Sequence, residues 1–559
     1  MKNGVCFHFL WQKLRRRAPA LLLMTAAHVG SAVLGVLSAL GTKQVINSAV
    51  QGDEPLFFRA CLVQGGIVLG ILICLTIYRY LHEKLMVTLD RDWKLELFHG
   101  LLHGDYAAVS AYHSGELINR LNNDVRTVND GILTVLPGFA SLCARLAAIL
   151  AVLFALEPRF TLLLAFLGLF VVAVTGIIRK HLRLLHKQVS TAEGQVSGFF
   201  QEALEKLMLV QAMSVEQEVE RRADEKLESR FVLQAKRRAY ALTANSFVSI
   251  LGYGSAFVTL IWCAWRIVQG TMTFGDLTAM TQLVSQLQSP FVNLSGFLPK
   301  YIAMMASCER LMELDLKLPE IETKDPGTLY EDLQEICAEN VTFSYGRDVV
   351  LDNGSFCLSK GSFTVVTGPS GVGKSTILKL MLGIFEPESG SLSLNCDSGR
   401  IPLDRQSRGL FAYVPQGNLL FSGTLRDNLL LTNPGASEKE IEEAVYVSCL
   451  DRVVAQLPDG LETMLGENSN GLSEGQAQRL SLARAVLSGA PILLLDEVTS
   501  ALDADTEMTV LRRIKALPGR TCIAVTHRPA AMELAEWQLR VDETKIQCVK
   551  IEDSHPDIK

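Results

Sequence analysis

The chain has 559 residues, 49% of them hydrophobic, and a formal net charge of -6. It is too long for one ordinary domain, and its mean hydropathy of +0.24 is too high for a wholly soluble protein, so a membrane part is expected. The Lys and Arg clusters lie beside hydrophobic runs, which argues against a nucleic-acid partner.

Six apolar stretches in the first 315 residues are each long enough to cross a hydrocarbon core of roughly 30 Å as a helix. They are residues 21–40, 60–78, 131–156, 160–178, 247–268 and 277–305. The sixth is interrupted by Pro290 and is the most polar of the set. Residues 1–315 are therefore predicted to form a polytopic α-helical membrane domain with six transmembrane helices.

The distribution of basic residues predicts how this domain is oriented. "KLRRR" at 13–17 precedes the first stretch, and segments 80–130 and 180–245 are rich in Lys and Arg, whereas the opposite connections hold few. The positive-inside rule puts the N-terminus, both long segments and the C-terminal domain in the cytoplasm. Without a recognisable organelle-targeting segment, we expect a multi-pass protein of a bacterial plasma membrane.

The two long basic segments contain few helix breakers, so they are expected to extend the membrane helices into the cytoplasm. Their tips, near Gly104–Tyr112 and Leu207–Ser214, are candidates for contact with the soluble domain. A helical hairpin tip without a special role is the alternative. A polar linker at 316–332 is expected to lead to that domain, at 333–559.

A phosphate-binding loop follows the strand-like "SFTVVT" and precedes a helical pattern, which is the context that G-x-x-x-x-G-K-S/T requires. Its residues are Gly368, Pro369, Ser370, Gly371, Val372, Gly373, Lys374, Ser375 and Thr376. Backbone N–H groups of such a loop surround the phosphates of ATP. Lys374 is expected to reach the β- and γ-phosphates, and the Ser375 hydroxyl to bind Mg²⁺.

Two further segments carry chemistry. "PILLLDE" at 491–497 is typical of a buried parallel strand, and it ends in Asp496, suited to bind Mg²⁺, and Glu497, suited to act as general base. "GLSEGQ" at 471–476 begins a second helical pattern, where free N–H groups favour an anion. Its candidate residues are Ser473, Glu474, Gly475 and Gln476.

With these motifs, residues 333–559 resemble the nucleotide-binding domain of the ABC ATPases, an α/β P-loop fold. The whole chain resembles an exporter-type half-transporter, in which six membrane helices are fused to one such domain; "HSGELINRLNNDV" at 113–125 and "MTFGDL" at 272–277 resemble recurring exporter segments. The resemblance implies that Tyr345 stacks on adenine, that Gln416 senses Mg²⁺ and water, that His527 contacts the γ-phosphate, and that Asp503 faces a partner subunit.

The resemblance also explains two phosphate-binding helix starts in one chain. It implies that Ser473 to Gln476 of one copy closes over ATP bound at the Lys374 loop of a second half-transporter, in a homodimer or a heterodimer. Glu474 replaces the usual glycine of this signature, and a carboxylate beside phosphate is repulsive unless it points away. The remaining residues predict a site competent for ATP hydrolysis.

The cargo is left open by the sequence. His28 and Arg145 are ionisable groups at membrane depth, where such residues usually face a cavity or a partner, and they could bind an anionic or amphipathic molecule. Gln282, Gln286 and Asn293 of the sixth stretch complete the candidate cavity, although Arg145 could instead pair with them. ATP-driven export of a small molecule, lipid or peptide by alternating access is the leading function. An importer of siderophore-like cargo, or a nucleotide-gated channel or regulatory ATPase, is the alternative.

The twelve cysteines show no C-x-x-C pair and several lie in apolar runs. This pattern predicts reduced core residues rather than disulfides or a zinc site.

Overall fold

The computed structural model describes the backbone of residues 2–314, 326–346, 348–417, 420–466 and 471–551. Within these ranges the side chains of residues 2–3, 165, 167–181, 183, 248, 288–296, 298 and 326 are not described. Contacts divide the chain into two compact units. One comprises Met1–Leu102 with His113–Leu316, and the other His103–Tyr112 with Lys317–Lys559.

The first unit is built of helices. They are α1 (Lys2–Leu14), α2 (Ala18–Gln51), α3 (Glu54–His103), α5 (Ser114–Asn119), α6 (Val125–Leu156), α7 (Pro158–Glu205), α8 (Leu207–Ala212), α9 (Glu216–Val268) and α10 (Phe274–Glu313). A π-helical turn at Arg120–Asp124 links α5 to α6, and α4 (Tyr106–Ser110) lies in the segment that belongs to the second unit.

Each predicted membrane stretch lies within one long helix of this unit. Within the described residues, four helical stretches are long and apolar enough to cross a membrane: Gly4–Gln51, Glu54–His103, Ser114–Leu156 and Glu216–Val268. The predicted stretches at 160–178 and 277–305 lie in α7 and α10, and part of each falls on side chains outside the description. The most apolar window of Glu54–His103 is only 6% buried within the chain, so its outer face is suited to lipid.

The apolar core of the first unit joins helices that are distant in sequence. Val36 of α2, Ile149 of α6, Phe160 of α7, Cys263 of α9 and Met280 of α10 are almost fully buried in one cluster. Helix α2, near the start of the unit, shares this core with α9 and α10 at its end. The order of the helices in the sequence therefore does not predict which of them pack together.

The exporter-like segment 113–125 has a structural role at the start of α6. Asp124, 3% exposed, accepts hydrogen bonds from Arg310 Nε at 2.8 Å, from Arg310 Nη2 at 2.5 Å and from Ser307 Oγ at 2.9 Å. Arg120, also buried, donates to Glu116 at 2.6 Å and to Glu313 at 3.3 Å. This network ties the first turns of α6 to the last turns of α10.

The segment 272–277 also has a structural role, at the opposite end of α10. Thr273 and Asp276 form a reciprocal capping box, and Asp276 pairs with Lys43 of α2 at 2.6 Å. The Gly275 N–H donates to Asn47 Oδ1 at 3.0 Å, which fixes the start of α10 against α2. Both exporter-like segments therefore hold helix ends in place.

The second unit contains three sheets. The strands are β1 (Leu333–Tyr345), β2 (Asp348–Ser359), β3 (Phe363–Thr367), β4 (Ser389–Cys396), β5 (Gly399–Pro402), β6 (Phe411–Val414), β7 (Gly423–Thr424), β8 (Met464–Leu465), β9 (Ile492–Asp496), β10 (Thr521–Val525), β11 (Trp537–Asp542) and β12 (Lys545–Lys550). The largest sheet has the order β12-β11-β3-β10-β9-β6, in which all neighbours are parallel except β11 and β12. An antiparallel sheet has the order β2-β1-β4-β5, and β7 pairs with β8.

Helices cover the strands of this unit. They are α11 (Pro326–Asp332), α12 (Lys374–Met381), α13 (Leu425–Leu430), α14 (Glu438–Val447), α15 (Asp451–Val454), α16 (Glu474–Leu487), α17 (Ala504–Lys515) and α18 (Pro529–Leu534). Strand β9 is buried along its whole length, as its apolar run predicts. α11 occupies the end of the predicted linker, and residues 315–325 lie outside the described part of the chain.

The expectation of cysteines without disulfides is wrong for one pair. Cys337 of β1 and Cys357 of β2 are directly opposite in the antiparallel ladder and form a disulfide. The sequence does not show this pairing because the two residues are 20 positions apart and become neighbours only through strand register.

Candidate ATP site and transport path

The phosphate-binding loop connects the end of β3 to the start of α12. Gly368 and Gly373 have backbone φ values of 150° and 100°, which residues other than glycine rarely adopt. A Cβ at Gly368 would lie 2.1 Å from the carbonyl oxygen of Val541, and one at Gly373 would lie 2.1 Å from Val350 Cγ1. Both positions therefore require glycine. Pro369, Ser370, Gly371 and Val372 form the loop between them.

Lys374 begins α12 and is 6% exposed. Its Nζ donates to the carbonyl oxygens of Gly368 at 2.9 Å and Pro369 at 2.8 Å. Burial lowers the pKa of Lys374, and the charges of Glu497 and Asp496 oppose that shift. The ammonium group is thus held inside the loop and close to two carboxylates, where a phosphate could pair with it.

A second set of contacts fixes Asp496 at the end of β9. The Ser375 hydroxyl donates to Asp496 Oδ1 at 2.8 Å, and the Tyr413 hydroxyl donates to Oδ2 at 3.1 Å. Burial and the neighbouring Asp496 raise the pKa of Tyr413, so Tyr413 remains a donor at neutral pH. Sequence reasoning used "YVPQ" only for Gln416 and missed Tyr413. The pairing of β6 with β9 brings this tyrosine to the site.

Glu497 is the next residue and contacts a different set of side chains. It has a φ of 51°, and its backbone N–H donates to the Val525 carbonyl at 3.0 Å. Its Oε2 accepts from Gln416 Nε2 at 2.8 Å, and its Oε1 lies 3.9 Å from His527 Nε2. The structure therefore brings the three predicted catalytic residues together beside the Lys374 loop, and Glu497 is less buried than Asp496.

The donor set at this site fits Mg²⁺. Ser375 and Asp496 offer oxygen atoms that lie within hydrogen-bonding distance of each other. The Gln416 amide nitrogen donates to Glu497, which leaves the Gln416 amide oxygen as a third candidate Mg²⁺ ligand. Mg²⁺ prefers oxygen ligands of this kind, together with phosphate oxygens and water.

Tyr345, the candidate for adenine stacking, lies at the end of β1 and is 44% exposed. Its ring contacts Phe343 and Phe385 edge-on, at centroid distances of 5.0 and 5.4 Å. Its hydroxyl lies 3.4 Å from Thr376 Oγ1, so it is tied to the first turn of α12. An aromatic face is thus available next to the phosphate-binding helix.

The second helix start is capped within its own chain. Ser473 Oγ accepts from the Gln476 N–H at 3.3 Å, and Gln476 Oε1 accepts from the Ser473 N–H at 2.8 Å. A Cβ at Gly475 would lie 2.7 Å from the Ala501 carbonyl oxygen, so this glycine permits close packing on the turn before α17. Glu474 is exposed. In the ranges that the structure describes, no hydrogen bond joins 473–476 to the Lys374 loop.

Arg528, which the sequence analysis did not single out, stabilises the turn before α17. Arg528 donates to the Leu502 carbonyl at 2.8 Å and to Glu507 at 3.1 Å, and Glu507, 2% exposed, accepts from Thr499 at 2.7 Å. Asp503 caps α17 by accepting from the Thr506 N–H at 2.9 Å, and this hydrogen bond lowers the pKa of Asp503. The only sequence signal for Arg528 is its position directly after His527.

Comparison with known proteins decides the family. The family model of the ABC transporter transmembrane region matches residues 21–291, and the model described as ABC transporter matches residues 351–500. The chain belongs to the ABC transporters. It joins one membrane region to one nucleotide-binding domain, which is the arrangement of a half-transporter. ATP hydrolysis coupled to transport across a membrane is the activity of this ABC transporter. The predictions of family, fold class and enzyme class are confirmed.

Individual relatives of this ABC transporter have names that indicate different functions. The ATP-dependent lipid A-core flippase of Desulfotalea psychrophila is 28% identical over 84% of this chain and 82% of its own length. The mycobactin import ATP-binding/permease protein IrtB of Mycobacterium tuberculosis is 36% identical, over 50% of this chain and 49% of its own. The solved structure of a bacterial Atm1-family ABC exporter with ATP bound matches this chain with a TM-score of 0.78 and 22% sequence identity. The match covers 96% of this chain and 95% of the exporter chain, which shows a shared fold.

One predicted cytoplasmic tip of this ABC transporter packs on the ATP-binding unit. Arg405 donates to the carbonyl oxygens of His103, at 3.2 Å, and Gly104. The Tyr106 ring meets Phe385 edge-on at 6.0 Å, next to Tyr345. Residues of the first tip thus contact the same aromatic group that supports the candidate adenine site.

The second predicted tip has different surroundings. In α8 and the following turn, Leu207, Met208, Leu209 and Met213 are all exposed, Met208 by 85%. The structure therefore leaves an apolar tip on the surface of the first unit.

The candidate cargo residues are only partly brought together. His28 of α2 stacks on Tyr78 of α3 at 4.3 Å, and the Arg145 charge is near enough to interact with His28. Within the described side chains Arg145 has no hydrogen bond or ion pair. Gln286 donates to the Gly35 carbonyl at 3.3 Å and so joins α10 to α2, and Gln282 is half-buried. The side chain of Asn293 lies outside the described residues.

Proposed function

We propose that two half-transporters close on ATP to export an amphipathic cargo, with Glu497 as the general base of hydrolysis. The observation that carries this proposal is the set of contacts around the end of β9. Asp496 is held by Ser375 and Tyr413 on one side, and Glu497 is held by Gln416 and His527 on the other. Two adjacent carboxylates in different environments can take different roles.

In this proposal each residue near the nucleotide has one task. The loop N–H groups and Lys374 bind the phosphates, and Tyr345 packs on the base. Ser375, Asp496 and Gln416 would hold Mg²⁺, which neutralises phosphate charge when bound. Glu497 accepts a proton from the attacking water, and His527 orients Glu497 and contacts the γ-phosphate.

A partner subunit supplies the remaining contacts. Ser473, Glu474, Gly475 and Gln476 are not joined to the Lys374 loop of their own chain, and the exposed Glu474 carboxylate can point away from bound phosphate. We infer that this helix start and Asp503 face ATP on a second copy or a related chain. The apolar tip at α8 supports the same arrangement, since exposed Leu and Met side chains on a hairpin tip favour a protein partner.

The test is ATPase activity and native mass of the chain alone in lipid nanodiscs. Glu497→Gln should reduce turnover by at least about a hundredfold while ATP binding persists, because general-base catalysis contributes about that much. Glu443→Gln, another carboxylate of the same unit, serves as the control and should keep wild-type turnover. Normal turnover of Glu497→Gln would contradict the assignment. An inactive monomer would indicate an obligate second chain.

For the cargo, we infer an anionic group bound near Arg145 and His28. Transport of a fluorescent lysophosphatidylglycerol into inside-out vesicles, with ATP outside, would support export. The similarity to IrtB gives import as the second candidate, and ATP-driven depletion of preloaded vesicles would support it. Arg145→Gln should raise the apparent Km for this probe more than Arg145→Lys does, because only the lysine keeps a cation there.

A bacterial plasma membrane with the N-terminus and ATP-binding domain in the cytoplasm is the location that the basic segments favour. The division at residues 315 and 333 remains the proposed domain boundary.

A further inference from the structure

Helix α1 has two faces with different surroundings. Cys6, Phe9, Leu10 and Leu14 are buried, whereas Val5, Phe7 and Trp11 are exposed by 57%, 70% and 54%. The helix ends at the basic residues 13–17. A short helix with an exposed apolar face and a basic end is suited to lie in a membrane interface, where the aromatic residues reach the acyl boundary.

The connection to α2 gives the depth of this helix. Arg17 precedes the apolar stretch 21–40 by four residues, or about 6 Å along a helix axis. Lipid headgroups occupy a layer of about that thickness on each side of the hydrocarbon core. The basic end of α1 therefore lies at the depth of lipid headgroups.

Contacts with α10 identify the side of the membrane. The Cys308 thiol, near the end of α10, lies 4.0 Å from the carbonyl oxygen of Cys6 in α1. In the sequence this end of α10 is followed by the ATP-binding unit, and ATP is cytoplasmic. Helix α1 consequently faces the cytoplasmic leaflet.

A cleft of about 530 Å³ lies beside this basic end and is open to solvent. It is lined by Lys13, Arg16, Arg17, Leu89, Asp92, Trp93 and Glu96. Two ion pairs cross it: Lys13 pairs with Glu96, and Arg17 pairs with Asp92 at 2.9 Å. The Trp93 ring is held edge-on by Phe9 at 5.7 Å.

The charges in and beside the cleft do not cancel. Lys13, Arg15, Arg16 and Arg17 supply four positive charges, and Asp92 and Glu96 supply two negative ones. In the described part of the chain, Arg15 and Arg16 have no ion pair, and both are exposed. Two cations at headgroup depth thus lack a protein counter-charge, and Arg16 lines the cleft itself.

We propose that this cleft binds the headgroup of an anionic phospholipid of the cytoplasmic leaflet, with Arg16 contacting the phosphate. A guanidinium group matches phosphate oxygens in a bidentate geometry. Leu89 and Trp93 line the cleft but are almost fully buried, so the apolar surface open to a lipid is the exposed face of α1 in the same leaflet. A soluble phosphate compound could use the arginine but would gain nothing from the apolar surface.

The test uses the full-length protein in detergent, titrated with dioleoyl phosphatidylglycerol or dioleoyl phosphatidylcholine and monitored by native mass spectrometry. Phosphatidylglycerol should bind more tightly. Arg16→Gln should weaken that binding about fivefold and Arg16→Glu about thirtyfold, as expected for one or two charge units near an anionic lipid. Arg16 is exposed, so neither variant disturbs the core.

Arg91→Gln is the matched control, because Arg91 is an exposed arginine of α3 that does not line the cleft. It should change phosphatidylglycerol binding less than twofold. Equal binding of the two lipids, or an equal effect of Arg91→Gln and Arg16→Gln, would overturn the proposal. Displacement of phosphatidylglycerol by equimolar glycerol 3-phosphate would show a soluble-phosphate site instead. None of these readouts depends on ATP hydrolysis, so they are independent of the proposed export.

Discussion

The buried ion pair between α6 and α10 gives a quantitative prediction. Asp124 is 3% exposed and accepts three hydrogen bonds, two of them from Arg310. Asp124→Asn keeps the shape but removes the charge that balances Arg310. Removal of one partner of a buried pair costs about 3–5 kcal/mol. Because the Arg310 side chain is 45% exposed and water can solvate it, we expect a smaller loss than this range, about 2 kcal/mol.

The assay is the rate at which a water-soluble maleimide labels Cys308, measured by peptide mass spectrometry. Cys308 is fully buried beside this network, and burial raises the pKa of its thiol, so labelling requires local opening. A loss of about 2 kcal/mol should accelerate labelling roughly thirtyfold. Asp130→Asn is the control, since Asp130 of the same helix pairs with Lys300 at 3.4 Å with both side chains half exposed. It should change the rate less than threefold.

The pH dependence of the same effect follows from the pKa of Asp124. Burial raises that pKa, but the hydrogen bonds from Arg310 and Ser307 and the nearby arginine charges lower it below the ordinary value overall. A lowered carboxyl pKa stabilises the fold above the unfolded pKa of about 3.9, and this contribution is lost as pH falls through the native pKa. The ratio of the Asp124→Asn and wild-type rates should therefore be equal at pH 6 and 7.5. A wild-type labelling rate in Asp124→Asn would refute the reasoning.

Three further outcomes are expected. Tyr413→Phe should raise the Mg²⁺ concentration needed for half-maximal ATPase about tenfold, because it removes a hydrogen bond that orients Asp496; an unchanged Mg²⁺ requirement would contradict this role. Gly475→Ala should lower Tm and ATPase activity, since its Cβ would meet the Ala501 carbonyl at 2.7 Å, whereas Gly435→Ala, with its nearest neighbour 4.0 Å away, should alter neither. Asp503→Ala should lower Tm at pH 7 more than Asp503→Asn, which can still cap α17. The difference between wild type and Asp503→Ala should shrink as pH falls through the lowered pKa of Asp503, because the protonated carboxyl loses the charge-dependent part of the cap and keeps only a neutral acceptor. Equal Tm values of the three proteins at pH 7 would exclude the cap.

Local patterns in the sequence were sufficient for the membrane helices and the phosphate-binding loop. An apolar stretch of about twenty residues is long enough to span a membrane wherever it occurs, so the predicted spans coincide with long helices. The loop from Gly368 to Thr376 is contiguous, and its neighbouring strand and helix are visible in the same window. Asp496 and Glu497 end an apolar run that is found as the buried strand β9.

Contacts between distant residues needed the tertiary structure. Tyr413 reaches Asp496 only because β6 pairs with β9, and Cys337 meets Cys357 only through the register of β1 and β2. Nothing near Asp124 in the sequence indicates Arg310, which lies 186 positions away. The sequence by itself determined the long membrane helices, strands β3 and β9 and the loop between Gly368 and Thr376, because periodicity and motif chemistry are local. The tertiary structure decided which of their side chains share a hydrogen bond or a charge, because that depends on helix packing and strand order.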